Sequence, residues 1–474
     1  MFILQGRKAV LDEGKVGKFN EFLDSVPDMY QPIVHPALKS QAEILGLETS
    51  SVHRGIRKGQ YRFDQRPSAT EDGEVFTDGT NLFVVFLERH LRGRHPLLFG
   101  NPSDRQSERG QDRVELIFAC MGPELDPPGL TELEDIISQT MGARLERLHY
   151  VSSRFQELKD EGREAPVAPS EEEAEGARIL SDRATRTLAL AIKASRGLLV
   201  RDLPRQLPEE DRNRADEIHR ILLDSALIES EIVVVCSKAQ VQTMRLPSKE
   251  FIDDLSKSGL KCACGRPIAD EQIEEALTVT DRGRTLLEKS RWMTVLLLDE
   301  LAQVGVLHDD LLIDQHVGGD EVDCIANING EAVLFELKDK EFSLGNAYSF
   351  GAKLGIVRPE HSVVFTTEHV GNDARDHFER ARLAKMRPGG MWRENDSTEI
   401  LYIEGTDLLR TEVRKLLSRI YAGEAARMLE QVLRLASLDA WSLVSMVTSQ
   451  EADDDYEEES MHDSQGSMAS VGAS

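Results

Sequence analysis

The dipeptide Asn329-Gly330 joins two strand-like runs, VDCIANI before it and EAVLFELK after it, and leaves this stretch little freedom to be anything but a β-hairpin. Asn-Gly supplies the two positive-φ residues that a tight two-residue turn requires, and the flanking runs are rich in β-branched and aromatic side chains. Side chains alternate between the faces of a strand, so Val333, Phe335 and Leu337 share one face while Leu334, Glu336 and Lys338 share the other. Pairing across the turn carries Asp323 to the neighbourhood of Glu336 and Lys338. One surface then holds two carboxylates and an ammonium.

That grouping suits phosphodiester hydrolysis. Asp323, Glu336 and the carbonyl of Leu337 offer oxygen ligands for one or two hard cations such as Mg²⁺ or Mn²⁺. Such a cation polarises a scissile phosphate and lowers the pKa of its bound water. Lys338 can position that water and neutralise charge developing on the phosphoryl oxygens. The plain alternative is an exposed cross-strand Glu-Lys pair worth roughly 0.2–1 kcal/mol. On an exposed polar face, replacing Asp323 or Glu336 by Ala is expected to leave the fold intact.

The hairpin resembles the PD-(D/E)xK nuclease superfamily, whose signature is an Asp followed after a variable gap by Asp/Glu-x-Lys. Asp323 matches the first acid, and Glu336, Leu337 and Lys338 match the second element; Val322 stands where the eponymous proline would be. The resemblance implies a core running helix, three strands, helix, strand, and the order along the chain agrees from about Arg284 to Thr367. Met293, Leu297, Leu301 and Val304 have helical spacing and stop before Gly305, LGNAYSFGAKLG fits the second helix, and HSVVFTT fits the fourth strand. A Glu on the first helix joins the metal shell in several branches of the superfamily. Glu288 and Glu300 are candidates for that role, with Glu321 beside Asp323 as a further one.

With 84 acidic against 57 basic residues the chain carries a formal charge of -27, so any hold on nucleic acid has to come from local clusters. Arg282, Arg284, Lys289 and Arg291 at the start of the first nuclease helix are the densest such cluster near the hairpin, and Lys340 and Lys353 can add phosphate contacts. A solvated helix face is the alternative for the four.

At 474 residues the chain is long enough for two or three domains. Residues 1–160 read as an α+β domain of unassigned fold, with strands at LFVVFLERHL and VELIFACMG and a long helix from Leu130 through Phe155. Residues 161–179 read as an acidic, disordered linker. Residues 180–246 suggest three short helices and a β wing, a winged-helix pattern whose third helix carries Asp216, Glu217 and Asp224 beside Arg214, His219 and Arg220. Residues 247–280 form a connector in which Cys262 and Cys264 precede Gly265. With Cys236 they make three of the four ligands of a degenerate zinc ribbon, or else are free cysteines in a turn. Residues 281–447 complete the nuclease domain, in which LLRTEVRKLLSRIYAGEAARMLEQVLRLA is expected to be helical cover, and 448–474 form a disordered acidic tail.

The expected whole is an α+β multidomain chain: an α/β nuclease core with a central mixed sheet, preceded by a winged helix. Its substrate is nucleic acid, DNA ahead of RNA, with partner proteins or self-association also compatible. A winged helix feeding a PD-(D/E)xK domain looks like the layout of some bacterial defence and restriction nucleases, including CRISPR-associated ones. The competing expectation is a catalytically silent nuclease fold serving as an adaptor or regulator in a nucleic-acid complex. No run of about eighteen apolar residues occurs and no signal peptide is indicated. The five scattered cysteines fit a reducing compartment, so a cytoplasmic chain without membrane contact is expected.

Overall fold

The run LFVVFL at Leu82 has no polar face, so its strand has to be covered on both sides. In the computed structural model it is. The structure describes residues 1–48, 70–90, 113–161, 168–195, 197–246, 248, 250–385, 399–433, 438–445 and 447. These form an α+β protein of two units: Met1–Asp160 with Asn327–Ala332 and Thr411–Ser474, and Glu161–Ala326 with Val333–Arg410.

The first unit is built on an antiparallel sheet of β1 (Ile3–Leu11), β2 (Gln31–Pro32), β3 (Thr70–Thr77), β4 (Leu82–His90), β5 (Arg113–Gly122) and β6 (Glu146–Arg147), in the order β2-β3-β4-β5-β1-β6. Leu82, Val84 and Phe86 face a core shared with the helix Val34–Leu45 and with Ala425, Met428, Leu429 and Val432. Phe83, Val85 and Leu87 face the other core, with Phe19 and Phe22 and with Leu130, Leu133 and Ile137. Both faces being buried explains why the strand reads as continuously apolar. The long helix expected from Leu130 is instead two: Pro128–Met141 stops where Gly142 turns left-handed at φ 59°, and Ser153–Glu161 begins after β6.

The second unit opens with a helix where a linker was expected. Glu171–Ser181 is helical because Ser170 and Glu173 form a reciprocal capping box and three glutamates in the first turn complement the helix dipole. The acidity read as disorder is a helix start. Next come the helix Arg183–Ser195, β7 (Leu198–Leu199), a 3₁₀ helix Val200–Gln206 that contains Pro204, and the helix Ala215–Asp224. β8 (Ile228–Val235) and β9 (Gln242–Leu246) form the expected hairpin. The cysteine-bearing connector does not stand apart: it contributes the helix Glu250–Lys257 and β10 (Gln272–Val279), which pairs with β8 and β7 in a sheet of order β7-β10-β8-β9.

A mixed sheet follows: β11 (Leu311–Val317), β12 (Asp320–Ile328), β13 (Glu331–Lys338), β14 (His361–Thr366) and β15 (Ile400–Glu404), in that order. β11 and β12 are antiparallel, whereas β13, β14 and β15 run parallel, with the helix Leu344–Val357 crossing between β13 and β14. The helix Arg291–Gln303 precedes β11. The element order is therefore helix, three strands, helix, strand.

Two segments expected in the nuclease domain group with the first unit, namely the hairpin tip Asn327–Ala332 and the described residues from Thr411 to 447. Within that unit the Asn327 amide donates to the Tyr150 carbonyl at 2.9 Å and accepts from Ser152 N–H at 2.9 Å, and Ser418 Oγ accepts from Phe2 N–H at 3.0 Å. The helix Leu409–Leu433 was expected to cover the nuclease domain; its second half packs in the first unit's core instead. The proposed acidic tail lies outside the described residues. No described helix is long and apolar enough to cross a membrane.

The same helix buries an acid. Glu424 is buried, with Oε2 2.7 Å from Arg427 and Oε1 without a hydrogen-bond partner among the described residues. Burial pushes its pKa from 4.5 up to about 7, with Glu331 adding to the rise and Arg427 opposing it. An acid whose pKa rises on folding contributes stability present below its unfolded value and lost as pH climbs through the folded one. Between pH 4.5 and 7 the loss attributable to Glu424 is at most about 3 kcal/mol. Denaturant titrations across pH 4.5–8 should show wild type losing stability over that window and Glu424→Gln losing less. Parallel curves for the two proteins would remove Glu424 as the cause.

Candidate active site and a thiol cluster

The alternation of β13 places Glu336 and Lys338 side by side, and the neighbouring β12 brings Asp323 to them. Asp323 Oδ2 accepts the Leu337 backbone N–H at 2.7 Å. Glu336 is 1% exposed, and its two oxygens are held by two ammonium groups: Oε1 lies 2.8 Å from Lys338 Nζ, and Oε2 lies 2.6 Å from Lys353 Nζ. Lys353, on the helix Leu344–Val357, is itself buried. It had been read as a phosphate contact and is instead the second counter-ion of the central carboxylate. Sequence gave no signal for this, because the crossover helix alone decides which of its residues faces β13.

Asp323, Glu336, Lys338 and Lys353 bring two acids and two bases together. Burial, and then the negative charge of Glu336, push the Asp323 pKa from 3.8 up to about 6, against the opposing pull of the Leu337 N–H and both lysines. Burial works against the charge of Lys338, but Glu336, Asp323 and Glu321 outweigh it and raise its pKa. An acid under this strain, beside a second acid, is a place where added positive charge is favourable.

Asp339, which follows the triplet, pins the end of β13. It lies 3.2 Å from Arg186 Nε and accepts from Trp292 Nε1 at 3.2 Å, while the Arg186 guanidinium stacks over the Trp292 ring at 4.7 Å. Trp292 is fully buried in the core; Asp339 and Arg186 were not singled out by sequence.

The remaining candidates divide. Glu300 is buried and gripped by Arg410, with Nη2 2.9 Å from Oε1 and Nε 2.9 Å from Oε2, so its carboxylate is already spent. Glu288 is exposed, and Glu321 lies 3.4 Å from Lys289. Each member of the basic cluster meets an acid: Arg282 with Glu172 at 3.7 Å, Arg284 with Asp281 at 3.0 Å, Lys289 with Glu321, and Arg291 with Glu173 at 3.6 Å. A phosphate clamp or a solvated helix face was expected of the four. Partly exposed pairs of this kind are worth about 0–1 kcal/mol, so exchange for a phosphate costs little. Lys340 is exposed, and its carbonyl accepts from the Thr366 hydroxyl.

In the other sheet of this unit Cys236, Cys262 and Cys264 come together, and Glu271 joins them. The four ligand atoms lie within 4.8 Å of one another. Glu271 was missed because a lone Glu ahead of a strand carries no ligand signature.

No family model and no curated protein matches this chain. Among solved structures, protein VC1899 from Vibrio cholerae aligns at 12% identity with a TM-score of 0.27, over 59% of this chain and 64% of that one. This chain thus spans less than two thirds of that protein, and a likeness so distant carries no argument about fold or activity.

Proposed function

We propose that the second unit is a metal-dependent nuclease of the PD-(D/E)xK type, with Asp323, Glu336 and Lys338 at its centre. The observation that carries the reading is the convergence of Asp323 and Glu336 on one side of the β12–β13 hairpin, with Lys338 on a Glu336 oxygen and the Leu337 N–H on an Asp323 oxygen. The order helix, three strands, helix, strand around that hairpin supports the same reading. The helices and hairpin ahead of it are compatible with a winged helix, and a role in bacterial defence or restriction is the analogy this layout invites.

The donor set fits Mg²⁺ or Mn²⁺: Asp323, Glu336 and the Leu337 carbonyl would hold the ion, which when bound supplies an activated water and charge stabilisation at the phosphate. Asp323 takes that role as the carboxylate. Lys338, 24% exposed, is the ammonium that can leave Glu336 for a phosphoryl oxygen, whereas buried Lys353 keeps Glu336 oriented. Phosphate charge on the substrate backbone is met by re-pairing of Arg282, Arg284, Lys289 and Arg291, with Lys340 exposed nearby in sequence.

A second reading is favoured by one feature: both oxygens of Glu336 already have ammonium partners, as in a purely structural ion network. The chain would then be a silent nuclease fold acting as an adaptor. Incubating the full chain with single- and double-stranded DNA and RNA in Mg²⁺, Mn²⁺ or EDTA separates the two. Cleavage of at least one substrate with metal and none in EDTA is expected, with Lys338→Ala slowing turnover about 10²-fold or more. Intact substrates under every metal condition would leave only the adaptor.

A further inference from the structure

We propose that Cys236, Cys262, Cys264 and Glu271 form one tetrahedral site for a thiophilic divalent cation, zinc, that ties the β8–β9 hairpin, the Cys262–Cys264 turn and the start of β10 together.

The ligands come from three separate segments. Cys236 directly follows β8, Cys262 and Cys264 lie in the turn after the helix Glu250–Lys257, and Glu271 directly precedes β10. Their ligand atoms lie within 4.8 Å of one another. Tetrahedral zinc with thiolate bonds of about 2.3 Å separates its sulfurs by about 3.8 Å, so modest inward movement closes the shell.

The surrounding hydrogen bonds aim the donors inward. The Ala239 N–H points to Cys236 Sγ at 3.3 Å, as expected where a thiolate's charge is stabilised by backbone amides. The turn between the other two cysteines and Gly265 is closed by Gly265 N–H to the Cys262 carbonyl at 2.8 Å. Gly265 sits at φ +93°, a conformation that favours glycine. One carboxylate oxygen of Glu271 is fixed by the Ser237 N–H at 2.6 Å, leaving the other 2.9 Å from Cys264 Sγ. That is the arrangement of a ligand held by its outer neighbours.

Ordinary packing of free thiols does not account for the carboxylate. Glu271 is 6% exposed and faces sulfur, a weak donor that is a poor replacement for water. The apolar core at this end of the sheet is small, consisting of Ile232, Val234, Leu246, Ile252 and Ile268 around the thiols. A metal ion is a common means of stabilising so small a core. Soft thiolates select zinc over Mg²⁺, so this ion is chemically distinct from the one the nuclease reading invokes.

The test uses the full chain purified without chelator. Elemental analysis is expected to find about one zinc per chain, and cobalt in its place should give the visible absorption of a tetrahedral thiolate complex. Glu271→Ala should lower zinc affinity about 10-fold or more in a competition titration, and Cys264→Ser should lower it further. Chelator should lower the melting temperature of wild type. Should Cys264→Ser fail to fold, wild type alone decides through thiol reactivity: three thiols shielded with zinc and released by chelator are expected. Less than about 0.2 zinc per chain with chelator-insensitive melting overturns the site, as does undiminished zinc affinity in either variant in the competition titration, or a disulfide between two of these cysteines. None of these readouts depends on nuclease activity.

Discussion

Asp323→Asn and Glu336→Gln should each abolish metal-dependent cleavage, lowering kcat by about 10³-fold or more, in a protein that remains folded. Both changes keep side-chain size and remove the anionic oxygens that would hold the cation. Asp323→Asn also keeps an oxygen to accept the Leu337 N–H, now 2.7 Å from Asp323 Oδ2, so the β12–β13 contact survives. Glu336→Gln keeps an acceptor for one of its two lysines. Rates measured at saturating Mg²⁺ with circular-dichroism spectra of the same preparations check both halves. Cleavage at the wild-type rate by either variant, in preparations free of contaminating nuclease, would remove this hairpin as the catalytic centre.

Glu336→Ala should behave differently from Glu336→Gln. From sequence, Glu336 was placed on an exposed hairpin face where truncation is harmless, but the carboxylate is 1% exposed and answers two ammonium groups. Lys338, at 24% exposure, can turn to water; Lys353, at 8%, cannot readily do so and would be left buried without its partner. Removing one member of such a buried pair costs about 3–5 kcal/mol. Adding Lys353→Met, which fills similar volume without charge, should restore most of that loss, since it removes the stranded ion. Urea titrations of the wild type, both single variants and the double variant measure the coupling. A Glu336→Ala protein within about 0.5 kcal/mol of wild type would show that Lys353 reaches water, as a surface group would.

Local chemistry determined much of this protein. Asn329-Gly330 between two alternating runs could only turn, and a period of two put Glu336 beside Lys338, where the 2.8 Å contact now lies. Strands at β4, β5 and β14 were legible as short, β-branched and aromatic apolar runs, and the helices Arg291–Gln303 and Leu344–Val357 as longer apolar segments. Three thiols were visible as incipient metal ligands because cysteine spacing is itself a signal.

Tertiary structure decided what had no local signature. The partner of a buried charge is chosen by the element that packs over it, so Lys353 was not assigned to Glu336, nor Arg410 to Glu300. The acids of the stretch before Ser181 were read as solvated because charge density suggests disorder, whereas Ser170 and Glu173 make them a helix start. The helical pattern of Leu409–Leu433 does not say which core its second half fills, and the hairpin tip Asn327–Ala332 gives no hint that its contacts lie with Tyr150 and Ser152. Sequence specifies which faces must be buried and which groups can ionise. Which distant face covers them depends on contacts between residues far apart in the chain, and no local pattern encodes those.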